Sequence, residues 1–562
     1  MSDCLPPIST IPNAVAHTAR LRADAVAIEE DGLSLRYGAL HETARVAGRA
    51  LMALGVAPGE RVAVWAPNLH EWIVAALGIQ MAGGVLVPLN TRLKGREAAD
   101  ILGRSGARAL ISIGEFLGVD YPEMLRGHAL PALRHRVILR GEREGALSWE
   151  AFLARAEDTP EAMLDARIAA LTPDSPSDLL YTSGTTGRPK GVITTHGQNL
   201  RAFSDWSDIV GLRAGDRYLI INPFFHAFGY KAGWLAALLR GATILPLAQF
   251  DAETVLARVE RYRVSFLPGS PTLYLSLLAH PRLDAYDLSS LRVAVTGAAS
   301  IAPELIRRMR KVLGFDVVLT AYGLTECCGL ATVCRLGDAL QTIANTSGRP
   351  LAGVEIRCVD DEGNDVAAGE PGEVWIRGYN VMRGYFDDEA ATREAIDGAG
   401  WLHTGDVGSL DAAGNLCITG RLKDMFIVGG FNCYPAEIEH LIGTHPAVAQ
   451  VAVVGVPDTR LGEVGRAFVV LREGESMSGE ALLEWCKSRL ANYKVPRSVV
   501  FMAALPTNAA GKVVKHELMA LQARIAPERA GGIGSRAAGP RRDAGAARGG
   551  AGRAGGGEPL AQ

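Results

Sequence analysis

The sequence predicts an α/β protein, with a large N-terminal domain of parallel-rich, helix-covered sheets followed by a small α+β domain. Three observations carry the prediction. The chain has 562 residues, more than one hydrophobic core supports, so two or more domains follow. Short apolar runs alternate with stretches of helical period, the pattern of strands linked by crossover helices. Near Gly420-Arg421-Leu422-Lys423-Asp424 that pattern changes, and a shorter unit begins.

The elements follow in order. Val62-Ala63-Val64-Trp65 reads as a strand broken by Pro67-Asn68. Leu69 to Met81 has helical character and stops at Gly83-Gly84, and Val85-Leu86-Val87 resumes extended structure. The unit recurs later. Leu291 to Thr296 reads as a strand ending at Gly297. Pro303 suits a first helical turn, with Leu305, Met309 and Val312 at helical spacing, and Val317-Val318-Leu319 is the next strand. In parallel sheets ligands bind beyond the carboxyl ends of the strands. That places Gly297-Ala298-Ala299 and Ala321-Tyr322-Gly323 at a candidate site. Beyond residue 424, Pro435 opens a helix containing Glu437, Ile438, Leu441 and Ile442. A strand follows around Val451 to Val454, then a helix from about Gly479 to Leu490, then a strand at Val499-Val500-Phe501. The stretch 527–562 is rich in Gly, Ala and Arg and has no aromatic residue. It cannot bury enough apolar surface to order itself and is expected to be a disordered tail.

Composition narrows the function classes. Hydrophobic residues make up 48% and the net charge is −3, which gives no electrostatic case for nucleic-acid binding. The eight cysteines include no C-x-x-C, so neither a zinc site nor a disulfide framework is indicated, and reduced thiols in a cytoplasm are expected. The N-terminus lacks a basic stretch followed by an apolar one, and charge or glycine interrupts the apolar runs before they could span a bilayer. A soluble, cytoplasmic protein without a transmembrane segment is expected. Homo-oligomerisation is left open.

The most informative run is Tyr181-Thr182-Ser183-Gly184-Thr185-Thr186-Gly187-Arg188-Pro189-Lys190-Gly191. Its glycines permit close backbone approach to an anion, and its hydroxyls and Lys190 suit a polyphosphate. It is not a Walker A loop, which needs G-x-x-x-x-G-K-[ST]. A Gly/Thr hairpin turn is the plainer alternative. The run resembles the phosphate loop of the adenylate-forming superfamily of acyl-CoA synthetases, peptide-synthetase adenylation domains and luciferases. Further similar segments occur in the family's order between about residues 20 and 520. They are Thr320-Ala321-Tyr322-Gly323-Leu324-Thr325-Glu326, Trp401-Leu402-His403-Thr404-Gly405-Asp406, Gly420 to Asp424, Gly429-Gly430-Phe431-Asn432, and Asn508-Ala509-Ala510-Gly511-Lys512-Val513.

The resemblance implies an AMP-forming acid–CoA ligase that uses ATP, Mg2+ and coenzyme A. By resemblance, Thr182, Ser183, Gly184, Thr185, Thr186, Gly187 and Lys190 bind phosphates. Gly297, Ala298, Ala299, Ala321, Tyr322, Gly323 and Thr325 surround the adenine and α-phosphate. Asp406 accepts from the ribose hydroxyls, and Arg421 contacts ribose and phosphate. Glu326 and Thr186 hold Mg2+, and Lys512, Glu326 and Thr186 are catalytic. Lys423 is the hinge on which the small domain rotates, and Gly429, Gly430 and Phe431 line the site for coenzyme A. His226, Phe228, Tyr230 and Gly323 border the acid. Plainer readings stand beside these: an Asx-turn for Asp406, a surface lysine at 423, a packed side chain for His226. Residue 507 is Thr where relatives often carry a basic residue, which touches an auxiliary contact only. The implied domains are an extension over 1–19, the AMP-binding domain over 20–422, the C-terminal domain over 423–526, and the tail.

No acidic residue lies within Phe224 to Tyr230 to pair with an amino group, and no carrier domain follows. Both favour a free acid and soluble coenzyme A. The runs Ile221 to Gly233, Pro268 to Tyr274 and Leu461 to Arg466 resemble bacterial CoA ligases for the indane-ring propanoate left by steroid breakdown. Fatty acids and aryl acids remain competitors. A luciferase-like or other non-CoA adenylating relative, or a non-catalytic nucleotide binder, are the rival classes.

Overall fold

The apolar run at 61–65 forms the strand Arg61–Trp65 within an eight-stranded sheet. Its parallel neighbours Val85–Pro88 and Ala109–Ser112 are buried at every residue. Strands covered on both faces have no wet side, which is why these runs read as continuous rather than alternating. The sheet extends through His135–Ile138 to Leu147–Ser148 on one side. On the other it extends through Pro176–Thr182, Lys190–Thr195 and Gly384–Tyr385, each antiparallel to the next. The computed structural model describes residues 9–182, 189–297, 303–428, 431–458, 460–490, 492–508 and 512–525.

The helix His70–Met81 is apolar from Trp72 to Ile79, and Glu71 to Met81 are all buried. It crosses the helix Tyr37–Ala53 closely. A Cβ at Gly78 would stand 2.7 Å from that of Ala47, so the crossing requires glycine.

A second sheet joins Leu33–Arg36, Val26–Glu30, Thr243–Pro246 and Arg217–Ile220. Bridges through Phe266 connect it to Val293–Gly297, Val317–Tyr322, Thr332–Val333 and Arg349–Pro350. Val293–Gly297 and Val317–Tyr322 are parallel, with Gly297 opposite Ala321, so both candidate segments emerge side by side at the carboxyl ends. The helix Pro303–Lys311 begins at its proline as expected. It ends before Val312, which is 46% exposed, because the chain turns away toward Gly314 at φ +82°.

Three features depart from the sequence reading. An antiparallel sheet of Val354–Val359, Gly372–Gly378, Leu402–Leu410 and Leu416–Arg421 was not anticipated, since its strands mix glycine and charge with apolar residues. The helix Ile11–Leu21 crosses the boundary expected at residues 19 and 20. Ile11, Ala14 and Val15 are buried in the large core, so this segment is no extension. Third, the helix after Gly479 ends at Lys487 rather than Leu490.

Among the described residues two hydrophobic cores are present. The larger runs from Ile11 to Leu416 and the smaller from Phe426 to Leu518. The smaller is built on Phe426–Val428, Phe431–Cys433, Val448–Asp458, Gly462–Leu471 and Ser498–Phe501, with the helices Pro435–Gly443 and Gly479–Lys487. Two compact units divide the chain, Met1–Leu518 and Met519–Gln562. The first holds both cores. The second holds the end of the helix Lys515–Ile525, and the expected tail lies outside the described residues. Among the described residues no helix is long and apolar enough to cross a membrane.

Candidate active site

A cavity of about 1720 Å3 gathers residues from segments far apart in the chain. Thr182, Lys190, His226, Phe228, Gly297, Ala321, Tyr322, Gly323, Thr325, Glu326, Asp406, Arg421 and Lys512 all line it. Ser183, Gly184, Thr185, Thr186, Gly187, Ala298, Ala299, Gly429 and Gly430 lie outside the described residues. Lys423 stands in the turn Leu422–Asp424 and Phe431 in the strand Phe431–Cys433, with side chains outside the description.

Thr182 and Lys190 are paired across the hairpin where it opens toward the cavity. Arg104 braces both arms of that hairpin. Its Nη1 donates to the Pro189 carbonyl at 2.6 Å, and its guanidinium lies 5.6 Å from the Tyr181 ring centroid. Lys190 places its ammonium 4.9 Å from the Tyr385 ring centroid. The Tyr385 hydroxyl donates to Glu326 Oε1 at 3.1 Å. Burial, then the Glu326 carboxylate, push the Tyr385 hydroxyl pKa up.

Asp406 is 4% exposed and its two oxygens are both engaged. Tyr322 donates its hydroxyl to Oδ2 at 2.7 Å, and Arg421 Nε lies 2.8 Å from Oδ1. Asp406 and Arg421 are register partners on neighbouring antiparallel strands, so the ion pair is set by the backbone. Glu373 holds the turn before Asp406, accepting from the Gly405 N–H at 3.0 Å and from Trp375 Nε1 at 2.8 Å. Gly323 is needed for packing. A Cβ there would stand 2.5 Å from the Gly329 carbonyl oxygen. Gly297 is similar, since its Cβ would meet the Ala321 oxygen at 2.6 Å.

His226 caps the short helix Ala227–Gly229, its Nδ1 accepting from the Phe228 N–H at 3.2 Å. The side chain is exposed to the cavity; desolvation by the surrounding protein, then the Lys512 ammonium, lower its pKa. The ring is therefore neutral near pH 7 and carries its proton on Nε2. The backbone of Lys512 is fixed by an exchange with Asn508: its N–H donates to Oδ1 at 2.9 Å, and the Asn508 N–H to its carbonyl at 2.8 Å.

Tyr230 corrects the sequence reading. It is 0% exposed, stacks on Trp234 at 4.7 Å, and accepts from Gln80 Nε2 at 2.8 Å. Its neighbour Lys231 is also fully buried, 3.1 Å from Asp178 and donating to Thr194 Oγ1 at 2.8 Å. Burial works against the Lys231 ammonium, but the Asp178 carboxylate and Cys328 together outweigh it and raise the pKa. The pair Tyr230-Lys231 thus turns inward, beneath the cavity. Arg104, Glu373, Tyr385 and the Asp178–Lys231 pair were not read from the sequence. Each acts on a partner distant in the chain, and none sits in a composition that signals a role.

A hard carboxylate at Glu326, with one oxygen held and the cation Lys190 nearby, is a donor set that suits Mg2+ with phosphates. An acceptor-only carboxylate beside an aromatic ring suits a ribose under a purine.

Comparison with known proteins agrees. The model of the AMP-binding enzyme family matches residues 15–386, and that of the AMP-binding enzyme C-terminal domain matches residues 437–512. The chain is 50% identical over 514 residues to the 3-[(3aS,4S,7aS)-7a-methyl-1,5-dioxo-octahydro-1H-inden-4-yl]propanoyl:CoA ligase of Mycobacterium tuberculosis, covering 92% of this chain and 99% of that one. It is 47% identical over 516 residues to the ligase of the same name from Rhodococcus jostii, covering 91% and 98%. Among solved structures, an anthranilate CoA ligase in complex with anthranoyl-AMP superposes with a TM-score of 0.83 at 30% identity, covering 92% of this chain and 99% of that one. The chain belongs to the AMP-binding enzyme family, as an acid–thiol ligase that works with ATP, Mg2+ and coenzyme A.

Proposed function

We propose that this enzyme activates a propanoate carried on a fused bicyclic dione, making its acyl-adenylate and then its coenzyme A thioester. The observation that carries the reading is that Lys512, His226, Glu326 and Asp406 border one cavity whose remaining walls include Phe203, Trp206, Phe228 and Leu275. Such walls suit a bulky apolar acid rather than an amino acid. The 1,5-dioxo-indenyl propanoate in the names of the two relatives is of that kind.

A carboxylate is a poor acyl donor because its leaving group would be oxide. Attack of its oxygen on the α-phosphorus of ATP releases pyrophosphate and gives a mixed anhydride whose leaving group is AMP. Negative charge is redistributed over phosphoryl oxygens, so catalysis is positioning plus cations. Lys190 and residues 182–187 would hold the β- and γ-phosphates, and Asp406 with Arg421 the ribose. Gly297, Ala298, Ala299, Ala321, Tyr322, Gly323 and Thr325 would enclose the base and α-phosphate. Glu326 and Thr186 would hold Mg2+, which neutralises phosphate charge. Lys512 orients the attacking carboxylate, and neutral His226 with Phe228 borders it. In the second step the thiol attacks the acyl carbon and AMP leaves. Residues 423–526 turn on Lys423 to withdraw Lys512 and bring Gly429, Gly430 and Phe431 to the thiol's path. Among the described residues seven cysteines carry free thiols, which supports a reducing, cytoplasmic setting.

The test is a panel of acids with ATP and coenzyme A, scored for AMP, pyrophosphate and thioester. The indane-dione propanoate should give the highest kcat/KM. A higher value for medium-chain, long-chain or aryl acids removes the substrate assignment.

A further inference from the structure

Lys190, Tyr385 and Glu326 come from separate stretches and meet on one wall of the cavity. Tyr385 lies in the two-residue edge strand Gly384–Tyr385, antiparallel to Lys190–Thr195 and opposite Val192. Lys190 is two residues before Val192, so it shares that face of the sheet and lies diagonal to Tyr385. The backbone around the tyrosine has little freedom. Its N–H donates to Thr392 Oγ1 at 2.9 Å, the Phe386 N–H to the Gly191 carbonyl at 2.7 Å, and the Met382 N–H to the Glu326 carbonyl at 2.8 Å. The segment from Met382 to Phe386 is thus tied to the hairpin at one end and to the Glu326 turn at the other.

Among the described residues no ion pair joins Lys190 to Glu326. Tyr385 touches both instead, its ring under the ammonium and its hydroxyl on Oε1. Two opposite charges on one cavity wall would otherwise be drawn together, and a direct pair would occupy the groups a metal–nucleotide needs.

We infer that Tyr385 is a positioning residue that keeps Lys190 and Glu326 apart and aimed, the ring seating the cation and the hydroxyl fixing one carboxylate oxygen so that the other faces the nucleotide. The inference rests on the reading of Lys190 and Glu326 as nucleotide and metal contacts. Tyr385 acts through those two residues and not on the reacting atoms.

Mn2+ serves as the metal probe, titrated by electron paramagnetic resonance into the enzyme with a non-hydrolysable ATP analogue. Tyr385→Phe keeps the ring and removes the donor. Mn2+ binding should weaken about 10-fold, the loss of one hydrogen bond to a charged group, while metal-free analogue binding and the thermal midpoint stay at wild-type values. Tyr385→Leu should also weaken metal-free analogue binding, because Lys190 loses its seat and collapses onto Glu326. In a Glu326→Ala background, Tyr385→Phe should have no further effect on Mn2+. Unchanged Mn2+ affinity in Tyr385→Phe, or an equal loss with and without Glu326, overturns the inference. Placing 4-aminophenylalanine at 385 restores an N–H donor and should restore Mn2+ affinity; failure to do so counts against it equally. A wild-type enzyme inactive in pyrophosphate exchange would instead refute the function proposed above.

Discussion

The Tyr322 hydroxyl donates to Asp406 Oδ2 at 2.7 Å, across 84 residues of sequence. The contact makes a ring and a carboxylate, expected at opposite ends of a nucleoside, into one rigid surface. Asp406→Asn can keep both local contacts, its oxygen toward Arg421 and its amide toward the Tyr322 oxygen, so the fold should hold. It loses acceptor capacity for the ribose. KM for ATP should rise about 10- to 100-fold, with the thermal midpoint nearly unchanged. A normal KM in pyrophosphate exchange would remove Asp406 from the ribose site.

Lys512→Ala should slow adenylation by roughly 10²- to 10³-fold, the usual loss for a focused electrostatic contact. Thioester formation from supplied acyl-adenylate should fall far less. Equal losses in both half-reactions would contradict the division of labour between the two steps.

Removing one member of the Asp178–Lys231 pair, whose side chains are both fully buried, leaves the other charge buried without its counter-ion. Lys231→Met should lower stability by about 3–5 kcal/mol in denaturant unfolding. The double variant Asp178→Asn, Lys231→Met should recover much of that loss. A double variant as unstable as the sum of its singles would indicate that the two charges do not stabilise one another.

Tyr230→Phe separates core from pocket. The hydroxyl engages Gln80 and faces Asp178, so its removal should lower stability by about 1–3 kcal/mol and leave KM for the acid unchanged. A KM effect without a stability loss would return Tyr230 to the pocket.

His196 is 0% exposed, and burial lowers its pKa to about 4. The folded state therefore binds fewer protons than the unfolded chain between that value and about 6.5. Stability should be complete above about 6.5 and fall as the pH drops toward 4, by roughly 3 kcal/mol from this group. His196→Gln, whose amide oxygen can still accept from the Ile11 N–H, should flatten that part of the profile. An unaltered slope would assign the acid sensitivity elsewhere.

The strand–helix–strand unit at 61–88 was legible because a fully buried parallel strand reads as an unbroken apolar run. The antiparallel sheet from Val354 to Arg421 was not, because half-buried strands that carry glycine and charge give no clear period. That Lys190, Glu326, Asp406 and Lys512 belong together was legible, because each sits in a short run whose functional groups suit one ligand, and all four line the cavity. His226 was legible as a candidate that the structure places on the cavity wall, but the lowering of its pKa was not, since that depends on the surrounding protein and on Lys512.

What the amino-acid order determined by itself was the α/β class, the succession of segments similar to the family's and the chemistry each can offer. These rest on local properties, namely side-chain period, turn-forming residues and the donors and acceptors within a short run. Only the tertiary structure decided that Tyr230 and Lys231 face inward to Gln80 and Asp178, and that Tyr385 stands between Lys190 and Glu326. The physical reason is that a contact's energy depends on which distant group completes it, and that partner is supplied by sheet register and packing, which no single stretch of chain contains.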